Sequence, residues 1–143
     1  MAYNLLKGKK GIIFGALNDQ SIAWKVAEKA HEEGAEIVLT NAPIALRMGT
    51  INELAEKIKA EVISADATSL EDLENLVNKS MEILGGKFDF ILHSIGMSPN
   101  VRKGIDYDAL NYDYYHKTLD VSAFSLHKVL STARKLDTIK EWG

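Results

Sequence analysis

Gly11-Ile12-Ile13-Phe14-Gly15-Ala16-Leu17-Asn18-Asp19-Gln20-Ser21-Ile22-Ala23 is the stretch that decides the fold. A short apolar run stops at a glycine, crosses a small polar turn and opens, at a serine, onto a helical pattern. That reads as strand, turn and helix. The same alternation continues down the chain. Residues 36–40, 61–65 and 88–93 are further near-continuous apolar runs, the signature of strands buried on both faces. Ser21 to about Glu33 predicts a helix with Ile22, Ala23, Val26, Ala27 and Ala30 on one face, Trp24 packed within it, and Gly34 as its stop. Ile51 to about Ile58 predicts a shorter helix. Ser69 and Asp72 form a capping-box-like start for a helix carrying Leu70, Leu73, Leu76, Val77, Met81 and Leu84, closed by Gly85-Gly86. Tyr112 to about Leu136 predicts one long helix whose apolar residues surround more than one face, as burial against both the sheet and another subunit requires. Strands alternating with helices imply right-handed crossovers and an α/β doubly wound parallel sheet, with strand order 3-2-1-4 in this segment.

The 143 residues are 46% hydrophobic and 26% charged, which excludes disordered, collagen-like and coiled-coil classes and allows one domain at most. A net charge of −3 offers no electrostatic footprint for nucleic acid or an anionic membrane. The longest apolar stretch, Ile12 to Leu17, is far short of the roughly 20 residues of a membrane span, and the amino terminus does not read as a signal peptide. There is no Cys, and His31, His93, His116 and His127 have no ligand-pair spacing, so no metal site is expected. His93, at a strand end, reads as a hydrogen-bonded structural residue. Lys7, Lys9 and Lys10 read as solvated surface, and Tyr112, Tyr114 and Tyr115 as packing at a helix start or subunit contact.

A parallel α/β sheet takes its ligand beyond the carboxyl ends of its strands, where the strand order reverses. Here those ends are residues 15–21, 40–43, 65–68 and 93–96, all small or polar, as close approach of backbone to a cofactor requires. The first turn lacks the full G-x-G-x-x-G fingerprint. Free N–H groups and the dipole at the helix start still favour a pyrophosphate, and the Ser21 hydroxyl adds a donor. On this turn alone, a tight turn with a helix cap is an equal reading.

Gly15 to Ala23, together with Asp66-Ala67 and His93-Ser94-Ile95-Gly96-Met97, closely resembles the enoyl-acyl-carrier-protein reductases of bacterial and plastid fatty-acid synthesis, a divergent branch of the short-chain dehydrogenase/reductase superfamily. The resemblance implies a Rossmann-like fold and NADH-dependent reduction of the enoyl double bond of acyl-carrier-protein thioesters. It places Gly15 and Ala16 along the pyrophosphate and adenosine ribose, with Ser21 and Ile22 at the helix start. It puts Ala42 near the adenosine ribose, Asp66 and Ala67 beside the adenine, and Ser94, Ile95 and Gly96 beneath the nicotinamide ribose. Met97 and Ser98 would border the acyl substrate. Residues 100–111, judged from their Gly and charged residues, read as a mobile loop over it. Asn41 and Ala42 supply neither the acid expected for NAD nor the Arg expected for NADP. Arg47, the nearest base, is expected in a loop, and NADH rather than NADPH follows from the family branch. The resemblance also implies a homotetramer, with Leu119, Phe124 and Leu126 of the 112–136 helix at subunit contacts, and a cytoplasmic setting (plastid for a relative).

The family's catalytic groups are a Tyr and a Lys in a Tyr-x6-Lys arrangement after a fifth strand. No convincing pair is found here, so residues 1–143 are expected to be the dinucleotide-binding part of a single Rossmann-fold domain, ending before the catalytic segment and inactive alone. Tyr3 with Lys10, and Tyr3 with Lys7, match such spacings but precede the first strand. The fourth strand would be left as an apolar edge for the missing carboxyl-terminal half or another chain to cover. A non-catalytic dinucleotide-binding fragment and another short-chain reductase stay open as alternatives.

Overall fold

The structure is a computed structural model that describes residues 2–101 and 104–143. Four strands, β1 (Lys10–Phe14), β2 (Glu36–Asn41), β3 (Glu61–Ser64) and β4 (Phe90–His93), form a parallel sheet in the order β3-β2-β1-β4. The register sets Ile12 beside Val38 and Ile91, and Ile13 beside Leu39 and Leu92. Successive strand residues face opposite sides, so these two rows feed two separate cores. On one side Ile13, Ile37 and Leu39 pack with Ala23, Trp24 and Ala27 of α1 (Ile22–Glu32) and Leu54 of α3 (Ile51–Ile58). On the other, Ile12, Phe14 and Val38 pack with Leu73, Leu76 and Val77 of α4 (Leu70–Leu84) and Val129 of a later helix.

The helix boundaries follow local chemistry. Ser69 Oγ accepts the Asp72 N–H at 3.2 Å, and Gly85 takes the left-handed conformation (φ 66°) at the carboxyl end of α4. The buried stripe of α1 is Ala23, Trp24, Ala27 and Ala30, whereas Ile22 is 76% exposed and Val26 also reaches solvent. The expected face was therefore rotated. The indole is buried, its Nε1–H donating to Glu28 at 3.1 Å, and the small alanines let α1 lie close to the sheet. Leu70 likewise points outward. Residues 43–48, expected as loop around Arg47, form a short helix α2 (Pro43–Met48) with proline in its first turn, where a missing N–H costs nothing.

The long carboxyl-terminal helix is interrupted. It comprises α5 (Tyr112–Leu119), a π-helical turn (Asp120–Phe124) and α6 (Ser125–Lys135). In the π turn the Ser125 N–H reaches the Asp120 carbonyl, five residues back. The Val121 carbonyl, which that N–H would serve in an α-helix, instead accepts the Ser125 hydroxyl at 2.6 Å.

β4 is shorter than its apolar run, and all four of its residues are half-buried. Phe88 bridges instead to Ile139, donating its N–H to the Thr138 carbonyl and accepting the Lys140 N–H. Asp89 ties this end of the sheet together, accepting from Lys10 N (2.9 Å), Lys9 Nζ (3.1 Å) and Lys140 Nζ (2.7 Å). Lys9, expected as solvated surface, thus has a structural partner.

Candidate cofactor site

The four strand ends form one rim, and specific bonds join them. Gly15 has φ +96°, and a Cβ there would be driven into the Ser94 carbonyl oxygen. Only a bare Cα allows the β1 and β4 ends to come this close. The Gly15 N–H donates to Thr40 at the end of β2 (3.2 Å), and the Ala65 N–H at the end of β3 donates to Asn41 (3.1 Å). Asn41 spends its side chain on the scaffold: Nδ2 donates to the Ala16 carbonyl at 3.0 Å, and Oδ1 accepts the Ala42 N–H at 2.9 Å.

The turn after β1 is held in shape by Ser21. Its Oγ accepts the N–H groups of Leu17 (3.0 Å) and Asn18 (3.1 Å), so the hydroxyl serves first as an acceptor for the turn. Ser21 makes no side-chain cap to the helix it precedes. The first N–H groups of α1 thus face the rim without the usual serine cap, with the helix dipole behind them. From the far side, Gly49 packs under this turn, where a Cβ would collide with the Leu17 carbonyl, and the Thr50 N–H donates to that carbonyl at 2.9 Å.

At the β3 end, Ala67 is buried and Asp66 exposed. The Asp66 carboxylate accepts from the Thr68 N–H (2.8 Å) and hydroxyl (2.7 Å). Lys128 of α6 secures this loop by donating to the Thr68 carbonyl (3.1 Å) and to Asp120 (2.7 Å). At the β4 end, Ser94 and Ile95 are half-buried, and Gly96 and Met97 exposed.

Three hydroxyls of the carboxyl-terminal helix follow this last segment. Ser125 Oγ lies 2.8 Å from His93 Nε2. Ser125 Oγ also donates to the Val121 carbonyl at 2.6 Å, which leaves its lone pairs for an Nε2–H of His93. Burial lowers the His93 pKa and favours the neutral ring. Ser122 Oγ accepts the Met97 N–H (3.0 Å) and donates to the Met97 carbonyl (3.1 Å). Thr118 reaches Ser98 Oγ at 3.3 Å.

Among the sequence-derived candidates, Gly15, Ala16, Ser21, Ala42, Asp66, Ala67 and the 94–98 segment all lie on the rim, and Ile22 begins α1 with its side chain outward. Tyr3, Lys7 and Lys10 lie at the opposite, amino-terminal ends of the strands. The loop of residues 100–111 is closed at its base by Asn100, whose side chain pairs with both peptide groups of Asn111 (3.1 Å each); Arg102 and Lys103 lie outside the described residues. Sequence reasoning missed Gly49, Thr118, Ser122, Ser125 and Lys128. The hydroxyl spacing 118, 122, 125, a polar stripe on one helical face, was the available signal.

Comparison with known proteins gives the same rim a family. The family model for enoyl-(acyl carrier protein) reductase matches residues 15–143. The enoyl-acyl-carrier-protein reductase (NADH) FabI of Rickettsia prowazekii (strain Madrid E) is 35% identical over 145 residues, covering 100% of this chain and 53% of its own length. Among solved structures, a FabI–NADH complex from Alistipes finegoldii is 71% identical, with a TM-score of 0.95 over 99% of this chain and 50% of that one. The Bacillus cereus enoyl-acyl carrier protein reductase, solved with NADP+ and an indole naphthyridinone, is 27% identical, with a TM-score of 0.83 over 99% of this chain and 54% of that one. The chain spans about half the length of the curated relatives it matches. With the family match running from the glycine turn to the last residue, the chain belongs to the enoyl-(acyl carrier protein) reductase family.

Proposed function

We propose that this chain is the cofactor-binding part of an NADH-dependent enoyl-acyl-carrier-protein reductase, which reduces the enoyl double bond of acyl-carrier-protein thioesters in fatty-acid synthesis in the bacterial cytoplasm. The observation that carries the reading is the turn at residues 15–21. A glycine that no side chain can replace opens the switch point between β1 and β4, and an α1 terminus without a serine cap faces it. That is the shape and charge a pyrophosphate needs.

Gly15, Ala16, Ser21 and Ile22 hold the pyrophosphate, with their peptide groups rather than their side chains doing the work. Ala42 borders the adenosine ribose, and Asp66 and Ala67 flank the adenine. Ser94, Ile95 and Gly96 underlie the nicotinamide ribose, and Met97 and Ser98 border the acyl chain. When bound, NADH supplies the hydride. Asn41 and Ala42 at the end of β2 supply neither an acid nor a base, so NADH rather than NADPH follows from the relatives, which are named as NADH enzymes. The outward residues Phe124, Leu126 and Leu130 of the carboxyl-terminal helix are apolar and exposed, which fits a subunit contact in a homotetramer. Among the described residues, half-buried β4 pairs in the sheet with β1 alone, an edge open to a further strand.

Titration of the chain with NADH, read by nucleotide fluorescence, tests the reading. Saturable binding that ADP competes away is the expected outcome. A folded chain that binds neither nucleotide refutes it.

A further inference from the structure

Thr118, Ser122 and Ser125 occupy one face of the helix that passes the β4 end, and each meets a different point of residues 93–98. The middle contact is unusual in kind. A single hydroxyl saturates both the N–H and the carbonyl of Met97, as a neighbouring strand would. Met97 itself is exposed, and among the described residues no strand pairs with it beyond the end of β4. In solvent-exposed backbone such a double contact fixes the orientation of the flanking peptide groups rather than adding burial. The π turn sets the ladder's lower rung, because the Ser125 N–H serves Asp120 and the Val121 carbonyl takes the Ser125 hydroxyl proton, leaving the Ser125 oxygen to face His93.

We infer that Ser122, supported by Thr118 and Ser125, is a positioning residue that holds residues 94–97 in the conformation that receives the nicotinamide half of the dinucleotide. The inference rests on the cofactor reading above. With a pyrophosphate at the start of α1 and the adenosine on the β2 and β3 side, the other half of the ligand extends toward β4. Among the described residues, the Ser122 hydroxyl bonds Met97 alone, on that side. Its loss therefore acts on one half of the ligand, whereas general destabilisation acts on both.

The test is a pair of titrations on the full chain, with NADH and with ADP, for the native protein, Ser122→Ala and Ser122→Thr. NADH binding to Ser122→Ala is expected to weaken by roughly three- to tenfold, the loss of about one net hydrogen bond. ADP binding stays unchanged, and Ser122→Thr, which keeps the hydroxyl, recovers the NADH affinity. If the alanine variant fails to fold and loses ADP as well, Ser122→Cys decides on the same two titrations, because its thiol fills the space but bonds weakly. Equal effects on NADH and ADP in the folded variant, or no effect on either, overturn the role of Ser122 while leaving the cofactor reading intact. A native chain that binds neither ligand overturns both.

Discussion

Gly15 shows how one residue can carry a site. Its positive φ and its contact with the Ser94 carbonyl make two separate demands that only glycine meets. Gly15→Ala is expected to cost at least about 2 kcal/mol of stability and to abolish NADH binding, checked by thermal melting and titration. Ser21 makes a different contribution. Its oxygen organises two turn N–H groups, so Ser21→Ala leaves both without their acceptor, at about 1–2 kcal/mol, and weakens nucleotide binding through the turn's shape. At this scale the sequence was informative about residue type and blind to direction. Ser21 was legible as a site residue because serine opens a helix after a glycine turn. That its hydroxyl accepts from the turn depends on backbone geometry no spacing encodes. Gly49 was invisible for the same reason: its constraint is the Leu17 carbonyl, from a segment more than 30 residues away.

The elements were legible where periodicity and caps agree. The α4 helix has a serine cap, spaced leucines and a glycine stop, and it lies where those signals put it. Ser69→Ala should lower the melting temperature by an amount equivalent to about 1 kcal/mol, read by thermal melting. In α1 the pattern misled. Its apolar residues are common on several faces, and packing of Trp24 against the sheet chose the alanine stripe over Ile22 and Val26. The π turn was also beyond reach. An inserted residue in a helix reflects competition for one carbonyl, here between the Ser125 hydroxyl and its own N–H, and leaves the apolar periodicity almost unchanged.

Across the molecule, two cores on opposite sides of one sheet position the rim, and Asp89 fastens the far end. Burial alone would raise the Asp89 carboxyl, but the Lys140 ammonium, the Lys10 N–H and the Lys9 ammonium outweigh it and hold it down at about 2. A folded value below the ordinary 3.8 means the contribution is fully present above 3.8 and is lost as pH falls from there through about 2. Asp89→Asn should therefore melt lower at neutral pH, by the equivalent of about 1–2 kcal/mol, with the gap closing on acidification. The sheet order was legible because crossover handedness leaves few arrangements of four alternating strands. The short pairing of Phe88 with Ile139 was not, since it depends on where the chain returns after the last helix. In the proposed complex one dinucleotide lies across all four strand ends. Amide chemical-shift mapping of the chain with saturating NADH tests it most directly. The largest shifts are expected at residues 15–23, 42, 66–67 and 94–97, with the Tyr3 and Lys10 end unmoved. Shifts confined to another face, or to one strand end only, would contradict it.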